Sequence, residues 1–364
     1  LSFETPGGFA LFVALRDIRF ARGRFALMGT VVLLITLLVV FLHGLTAGLA
    51  REATSAVAEL PAGRIVFGAP QGATPEVSFT NSTVDRRQAA AWRAAAGVTA
   101  AEPFGVAMNR LTARGTAASV SLFGSGERLL PPLRSGTAPG DGGLAVGEGL
   151  ARKQGLRVGD AVTVGAERLT VTALTADRSY GHAPAAWTTL AAWQRITHQP
   201  QPTALAVTGD GRPSGPAARG TRAVGLGQAL DGIDGYAAEH GTLRMIQGFL
   251  LAVSALVVGA FFTVWTVQRR PDIAVLKAVG ASGGYLVRDA LAQALAVLLA
   301  GTVLGGAAGA LGGRLAARAV PFELDAGGVA LPVVAMVLLG LAGSALAVRR
   351  ITSVDPLTAL GAAR

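Results

Sequence analysis

Charge is absent from four long stretches of this chain, residues 25–50, 245–268, 290–313 and 326–348, which hold no Asp, Glu, Lys or Arg. A helix rises about 1.5 Å per residue, so each stretch can cross a hydrocarbon core about 30 Å thick. Four transmembrane helices are expected at those positions. The first exceeds the roughly 7–15 apolar residues of a secretory signal, and the later three need helical company in the bilayer, so it reads as a retained span. Before it, Leu11, Phe12, Leu15, Ile18 and Phe20 alternate with Arg16, Arg19 and Arg22. That pattern lays an apolar stripe against lipid and arginines among the headgroups. Residues 1–24 are expected to be an N-terminal extension leading into an interfacial elbow helix.

Residues 51–244 break this pattern. Polar and apolar positions mix there, and about 190 residues suffice for one compact domain or two small lobes. Residues 64–68, 118–123, 161–164 and 168–174 have strand character, whereas 85–96, 147–154 and 188–196 read as helices. Residues 210–215 (DGRPSG) are a loop by their Gly and Pro content. Residues 148–160 (EGLARKQGLRVGD) read as a short helix, a glycine turn and the start of a strand. The expected fold class is an integral membrane α-helical protein of four transmembrane helices, with an α+β extracytoplasmic domain inserted between helices 1 and 2.

Composition agrees: 51% of the residues are hydrophobic and 15% charged, against about a quarter charged in soluble domains. Basic residues in the short flanks set the orientation. Arg16, Arg19, Arg22 and Arg24 precede span one, Arg269, Arg270, Lys277 and Arg288 separate spans two and three, and Arg349, Arg350 and Arg364 follow span four. The loop 314–325 carries Arg314 and Arg318 against Glu323 and Asp325. Both termini, the segment 269–289 and the tail 349–364 are therefore expected in the cytoplasm of a multi-pass plasma-membrane protein. The large domain and loop 314–325 lie outside. The net charge of +10 does not call for nucleic acid as a partner, because 51–244 holds 19 basic and 15 acidic residues and the flanks account for most of the rest.

Several chemistries are missing. With no cysteine there is neither a disulfide nor a thiol site, so the outer domain is held by its own core. A phosphate-cradling loop needs G-x-x-x-x-G-K-[ST], but Lys153 and Lys277 are followed by Gln154 and Ala278. No His-Glu-x-x-His zinc motif occurs, and the serines of 119–125 have no evident His and Asp partners. The chain is not expected to be an enzyme; if ATP drives it, a separate chain hydrolyses the ATP. Gly301, Gly305, Gly306, Gly309, Gly312 and Gly313 stud span three, where small residues let helices approach closely in lipid. Four helices leave no room for a private channel, so a homodimer is expected.

Three segments carry a resemblance. Residues 268–282 (QRRPDIAVLKAVGAS) resemble a basic coupling helix that ends in a glycine turn, 355–360 (DPLTAL) resemble an Asp-Pro-x-x-Ala-Leu ending, and 147–164 resemble a helix–Gly–x–x–Val–Gly–Asp segment. Together they are similar to ABC transporter permeases of the MacB/FtsX type. Within that family, 179–193 (SYGHAPAAWTTLAAW) and 246–261 are most similar to the haem-efflux permeases of the HrtB type. The resemblance implies a second copy of the permease, two ATPase subunits that hold the Mg-ATP, contact with membrane lipid and a lipid-soluble cargo. It implies no intrinsic cofactor. Arg269, Arg270, Asp272, Ile273, Leu276, Lys277 and Gly280 would couple to the ATPase, with Ile273, Leu276 and Gly280 on one helix face. Pro271 stands where many relatives carry a charged residue.

Haem iron accepts His, Met or Tyr, and its propionates favour basic groups. His43 is the one ionisable side chain inside a span, about 27 Å along the helix from Phe25, and an ionisable residue at that depth is a functional candidate. Glu239, His240, Arg244 and Met245 lie at the outer mouth of span two. His43 and Met245 are the candidate iron ligands, and Met245 points inward if the helix is amphipathic there. A helix-end histidine bonded to a backbone carbonyl, and a methionine that merely packs, fit the same residues. Met28 and Met336 rank lower, Tyr180 belongs to the outer domain, and His182 reads as a turn residue. Two other functions stay open: efflux of another amphiphile such as a peptide, lipid or antibiotic, and an FtsX-like mechanotransmitter that regulates an envelope hydrolase.

Overall fold

A computed structural model describes residues 22–70, 72–215, 220–268, 275, 279–280, 282–317, 319–324 and 326–352. The chain divides into two compact units, Leu1–Gly48 with Thr242–Arg364, and Leu49–Gly241.

The first unit is helical. It draws on α1 (Arg22–Ala58) and three later helices, Tyr236–Gln268, Gly283–Ala316 and Ala326–Thr352, numbered α6, α7 and α8 below. Each is long and apolar enough to cross a membrane. α1, α6 and α7 outrun their charge-free windows because backbone bonding continues past the point where side chains turn polar. Ser282 caps α7 by accepting the Tyr285 N–H. The core joins Met28, Val32, Val258, Phe262, Trp265, Ala294, Leu298 and Met336, so Met336 is a packing residue.

Glycine sets the spacing of α7. A Cβ at Gly301 would lie 2.8 Å from Val32, one at Gly309 would lie 3.1 Å from the Leu37 carbonyl oxygen, and one at Gly305 would overlap the Leu33 carbonyl oxygen. The expected small-residue stripe is therefore the seam on which α7 meets the α1 backbone. A second close approach joins α6 and α8, where a Cβ at Gly343 would be 3.1 Å from the Gly259 Cα.

The second unit is the α+β domain. Its elements are β1 (Arg64–Gly68), α2 (Arg86–Arg93), β2 (Val98–Ala113), β3 (Thr116–Ser125), β4 (Leu133–Gly136), β5 (Gly143–Gly147) and α3 (Glu148–Gln154). They continue with β6 (Ala161–Val164), β7 (Glu167–Thr175), β8 (Ser179–Tyr180), β9 (Ala183–Thr188), α4 (Leu190–Thr197), β10 (Ala204–Gly209), β11 (Thr221–Gly225) and α5 (Leu226–Ala229). The main sheet runs β11-β1-β10-β2-β3-β9-β5-β7-β4, with β6 bridging β2 and β7. Strands β2, β3, β9, β5, β7 and β6 thus form a closed circuit of pairings. β3–β9 and β5–β7 are parallel and the others antiparallel.

Leu111, Leu122, Leu144, Val146, Val164, Val171 and Trp193 build one apolar cluster of this domain. Phe67, Phe79, Phe104, Phe123, Tyr180 and Trp187 build another. Trp193 lies across Gly105 and Gly124, neighbours in the β2–β3 register. A Cβ at Gly105 would stand 2.5 Å from the indole.

Local signals explain several element ends. Asp85 and Gln88 form a reciprocal capping box at 2.7 and 2.9 Å, which starts α2 one residue inside the expected 85–96. Gly155, at φ +63°, terminates α3, and the 148–160 segment folds as its sequence predicts. The expected helix at 188–196 begins later, because Thr189 is its cap.

Strands β2, β4, β5, β8, β9, β10 and β11 were not predicted. β5 (GLAVG) is buried at every position and β9 (APAAWT) at nearly every one, so neither shows the alternation that marks a half-exposed strand.

Candidate functional site

His43 sits on α1, partly buried. Among the described residues its ring has no hydrogen-bond partner, so the carbonyl-bonded alternative is not what the helix displays. One turn on, Thr46 is buried and donates to the Leu42 carbonyl at 2.8 Å while accepting from Gln247 Nε2 of α6 at 3.1 Å. That side-chain bond ties α1 to α6 within their apolar runs, where hydrogen bonds between uncharged side chains help to hold helices together. Sequence reasoning missed Gln247: it is uncharged, and its partner is 201 positions away.

Loop 319–324 closes on the neighbouring face of α1. The Phe322 ring fits where Gly44 and Gly313 have no side chain and lies 5.3 Å from the Phe41 ring. The Glu323 N–H donates to the Gly44 carbonyl at 3.0 Å.

On α6, Arg244 is exposed. Met245 is 63% exposed, so within its own unit the side chain faces away from the packed helices. Glu239 and His240 belong to the other unit. There Glu239 Oε2 lies 3.0 Å from His182 Nε2, and the His240 ring stacks on Tyr236 at 5.2 Å and 18°. His182 is a turn residue, as its sequence context indicated, at φ +62° beside Gly181 at φ +56°. It is also the partner of a candidate site residue, which sequence did not reveal. Burial, together with nearby Asp234, pushes the Tyr180 hydroxyl above its ordinary pKa.

Arg269, Arg270, Asp272, Ile273, Leu276 and Lys277 lie outside the described residues, as do the elbow segment through residue 21 and the 355–360 ending. Of the expected coupling segment, the Val279 N–H donates to the Val275 carbonyl at 3.1 Å, a helical spacing. Gly280 follows at φ +104°, a conformation that requires glycine. The expected glycine turn is therefore present, directly before the Ser282 cap.

The domain also carries a cavity of about 710 Å³ lined by Arg114, Glu148, Arg152, Leu156, Arg157 and Asp160 among others. Asp160 engages Arg114 at 2.9 Å and the Arg157 backbone N–H at 2.9 Å. Among the described residues no group of three or more His, Asp or Glu could hold a metal ion.

Comparison with known proteins places this chain in a family. Residues 25–219 match a MacB-like periplasmic core domain and residues 244–356 an FtsX-like permease C-terminal region. A Staphylococcus haemolyticus protein named as a hemin transport system permease, HrtB, is 25% identical over 354 residues, covering 96% of this chain and 99% of that protein. An uncharacterized ABC transporter permease of Mycobacterium tuberculosis is 28% identical over 356 residues with the same coverage. Among solved structures, the periplasmic region of MacB from Actinobacillus actinomycetemcomitans is 10% identical, with a TM-score of 0.37, covering 49% of this chain and 95% of that one.

Proposed function

The chain belongs to the MacB/FtsX-like family of ABC transporter permeases, and on that premise we propose that it is the membrane subunit of an ATP-driven pump exporting haem from the bilayer. Membership implies an ATPase partner and a second permease copy. The observation that carries the cargo is likeness along nearly the whole chain to a permease named for hemin transport. An ionisable side chain at membrane depth, His43, supports it. In this reading the His43 imidazole and the Met245 thioether supply iron ligands, and Arg244 pairs with a propionate. Glu239 and His240 receive the cargo at the outer mouth.

Both termini and 269–289 face the cytoplasm in this proposal. Asp272, Ile273, Leu276 and Lys277 then sit in a groove on the ATPase, with Arg269, Arg270 and Gly280 bounding the contact. Nucleotide-driven closure tilts the segment and moves spans two and three as rigid bodies.

The test is a haem titration of the chain purified with its ATPase. A Soret shift that His43→Ala or Met245→Ala abolishes is the expected result. No shift at any stoichiometry would turn the reading toward another amphiphile or toward a mechanotransmitter. Coupling is tested separately: Leu276→Asp is expected to lower export at least tenfold in vesicles while the permease still elutes as a folded dimer. Normal export in that variant would remove the segment from the mechanism.

A further inference from the structure

Thr46 decides which end of the Gln247 amide stays open. Its hydroxyl has one hydrogen, and that hydrogen goes to the Leu42 carbonyl at 2.8 Å. Toward α6 the oxygen can then only accept, so the group it meets at 3.1 Å is the Gln247 amide nitrogen. An amide held by its nitrogen carries its carbonyl oxygen, Oε1, free. The half-buried Gln247 side chain makes no other hydrogen bond among the described residues.

That free acceptor lies beside a free donor. His43 and Thr46 are three residues apart on α1, so their side chains are neighbours on one helix face, with Cβ atoms about 5–6 Å apart. The other side chains three or four residues from His43 are Val39, Val40 and Ala47. None of them can accept a hydrogen bond. The His43 ring is itself unpaired among the described residues, and His43, Thr46 and Gln247 all belong to the membrane unit.

The chemistry of an imidazole says what the acceptor is for. A neutral ring carries one N–H and one bare nitrogen, and the bare nitrogen is the one that takes a metal. The N–H then needs an acceptor, which fixes the tautomer and the direction of the ring and strengthens the ring as a ligand. Within an apolar run, leaving both that N–H and the amide oxygen unmatched costs free energy.

We infer that Gln247 is the positioning residue for His43: anchored through Nε2 on Thr46, its Oε1 accepts the His43 N–H when the opposite ring nitrogen binds the cargo iron. Loading the imidazole thereby adds a second side-chain bond between α1 and α6. Gln247 does not touch the iron. It acts through the imidazole, by holding the ring in one orientation and raising its basicity. The inference rests on the haem reading of His43 and deepens it, and it holds whichever group supplies the other iron ligand.

The test is a haem titration of the full permease–ATPase complex in lipid nanodiscs, read at the Soret band, with a redox titration of the bound haem. Gln247→Leu removes anchor and acceptor together and is expected to weaken haem binding at least tenfold, as loss of a ligating histidine's partner does. Its bound haem should also show a raised reduction potential, because the imidazole donates less. Gln247→Glu keeps an acceptor at the same reach, so it should recover most of the affinity and lower the potential. Thr46→Val removes the anchor but leaves the amide oxygen, and its potential should stay near that of the parent. Parent-like affinity in Gln247→Leu, or lost affinity with an unshifted potential, would overturn the inference and leave the haem reading standing. Equal losses in all three variants would do the same, since Gln247 would then be a packing link. No haem binding by the parent would sink both, and binding untouched by His43→Ala would remove His43 as a ligand and this inference with it.

Discussion

Trp193→Ala is expected to destabilise the extracytoplasmic domain by about 3–5 kcal/mol, the range for removing a buried indole, out of a total of roughly 5–15 for a domain. The residue is fully buried on α4 and covers a floor made by Gly105 and Gly124. The two glycines of the floor have no side chains to fill the space. A cavity term therefore adds to the lost burial, to the extent that the surrounding Leu and Ile side chains do not relax into the space. The indole N–H has no hydrogen-bond partner, so losing it costs nothing in bonding and the effect is one of packing. Trp193→Phe keeps much of the covering ring and should lose far less. Hydrogen exchange of β2 and β3 peptides in the full chain provides the measurement: protection should collapse in the alanine variant and largely persist in the phenylalanine one. Equal protection in all three would show that the glycine floor does not depend on Trp193.

The second large effect is expected in the membrane unit. Gly305→Leu places a branched side chain where a Cβ alone would overlap the Leu33 carbonyl oxygen and stand 2.9 Å from Thr36 Cβ. Overpacking typically costs about 1–3 kcal/mol. Here the obstacle is backbone rather than the end of a side chain, so α1 and α7 must separate along the seam. Gly312 on the same helix has nothing within 4 Å of a built Cβ, which makes Gly312→Leu the matched control. Thermal unfolding in detergent, followed by loss of the folded elution peak, should show a lowered midpoint for Gly305→Leu and none for Gly312→Leu. Similar midpoints for both would mean that α7 does not rest on α1 through this stripe.

Much of the fold was legible because its strongest signals are local. A charge-free run of span length has few soluble explanations, and all four such runs lie in helices apolar enough to cross a membrane. Asp85 with Gln88, Thr189, and Gly155 each act within four residues, so the ends of α2, α3 and α4 could be read closely. The closed strand circuit could not. β5 and β9 are small-residue strands covered on both faces, and periodicity vanishes when both faces are buried.

The candidate site divides in the same way. His43 was found because an ionisable residue inside an apolar run stands out, and Arg244 and Met245 by their position at the mouth of span two. Gln247 and His182 were missed or set aside. Their partners, Thr46 and Glu239, stand 201 and 57 positions away in the chain, and no local pattern announces either pairing. Met245 shows the opposite limit, since a helical position predicts a direction only once the packed face is known.

By itself the sequence determined the number of spans, the inserted domain and the family resemblance, because hydropathy and short motifs are properties of neighbouring residues. The tertiary structure alone decided that strands distant in sequence close a circuit, that glycines of α7 meet the α1 backbone, and that a turn histidine reaches Glu239. Each of those depends on groups brought together across long loops, where the energy of contact is settled by shape and burial.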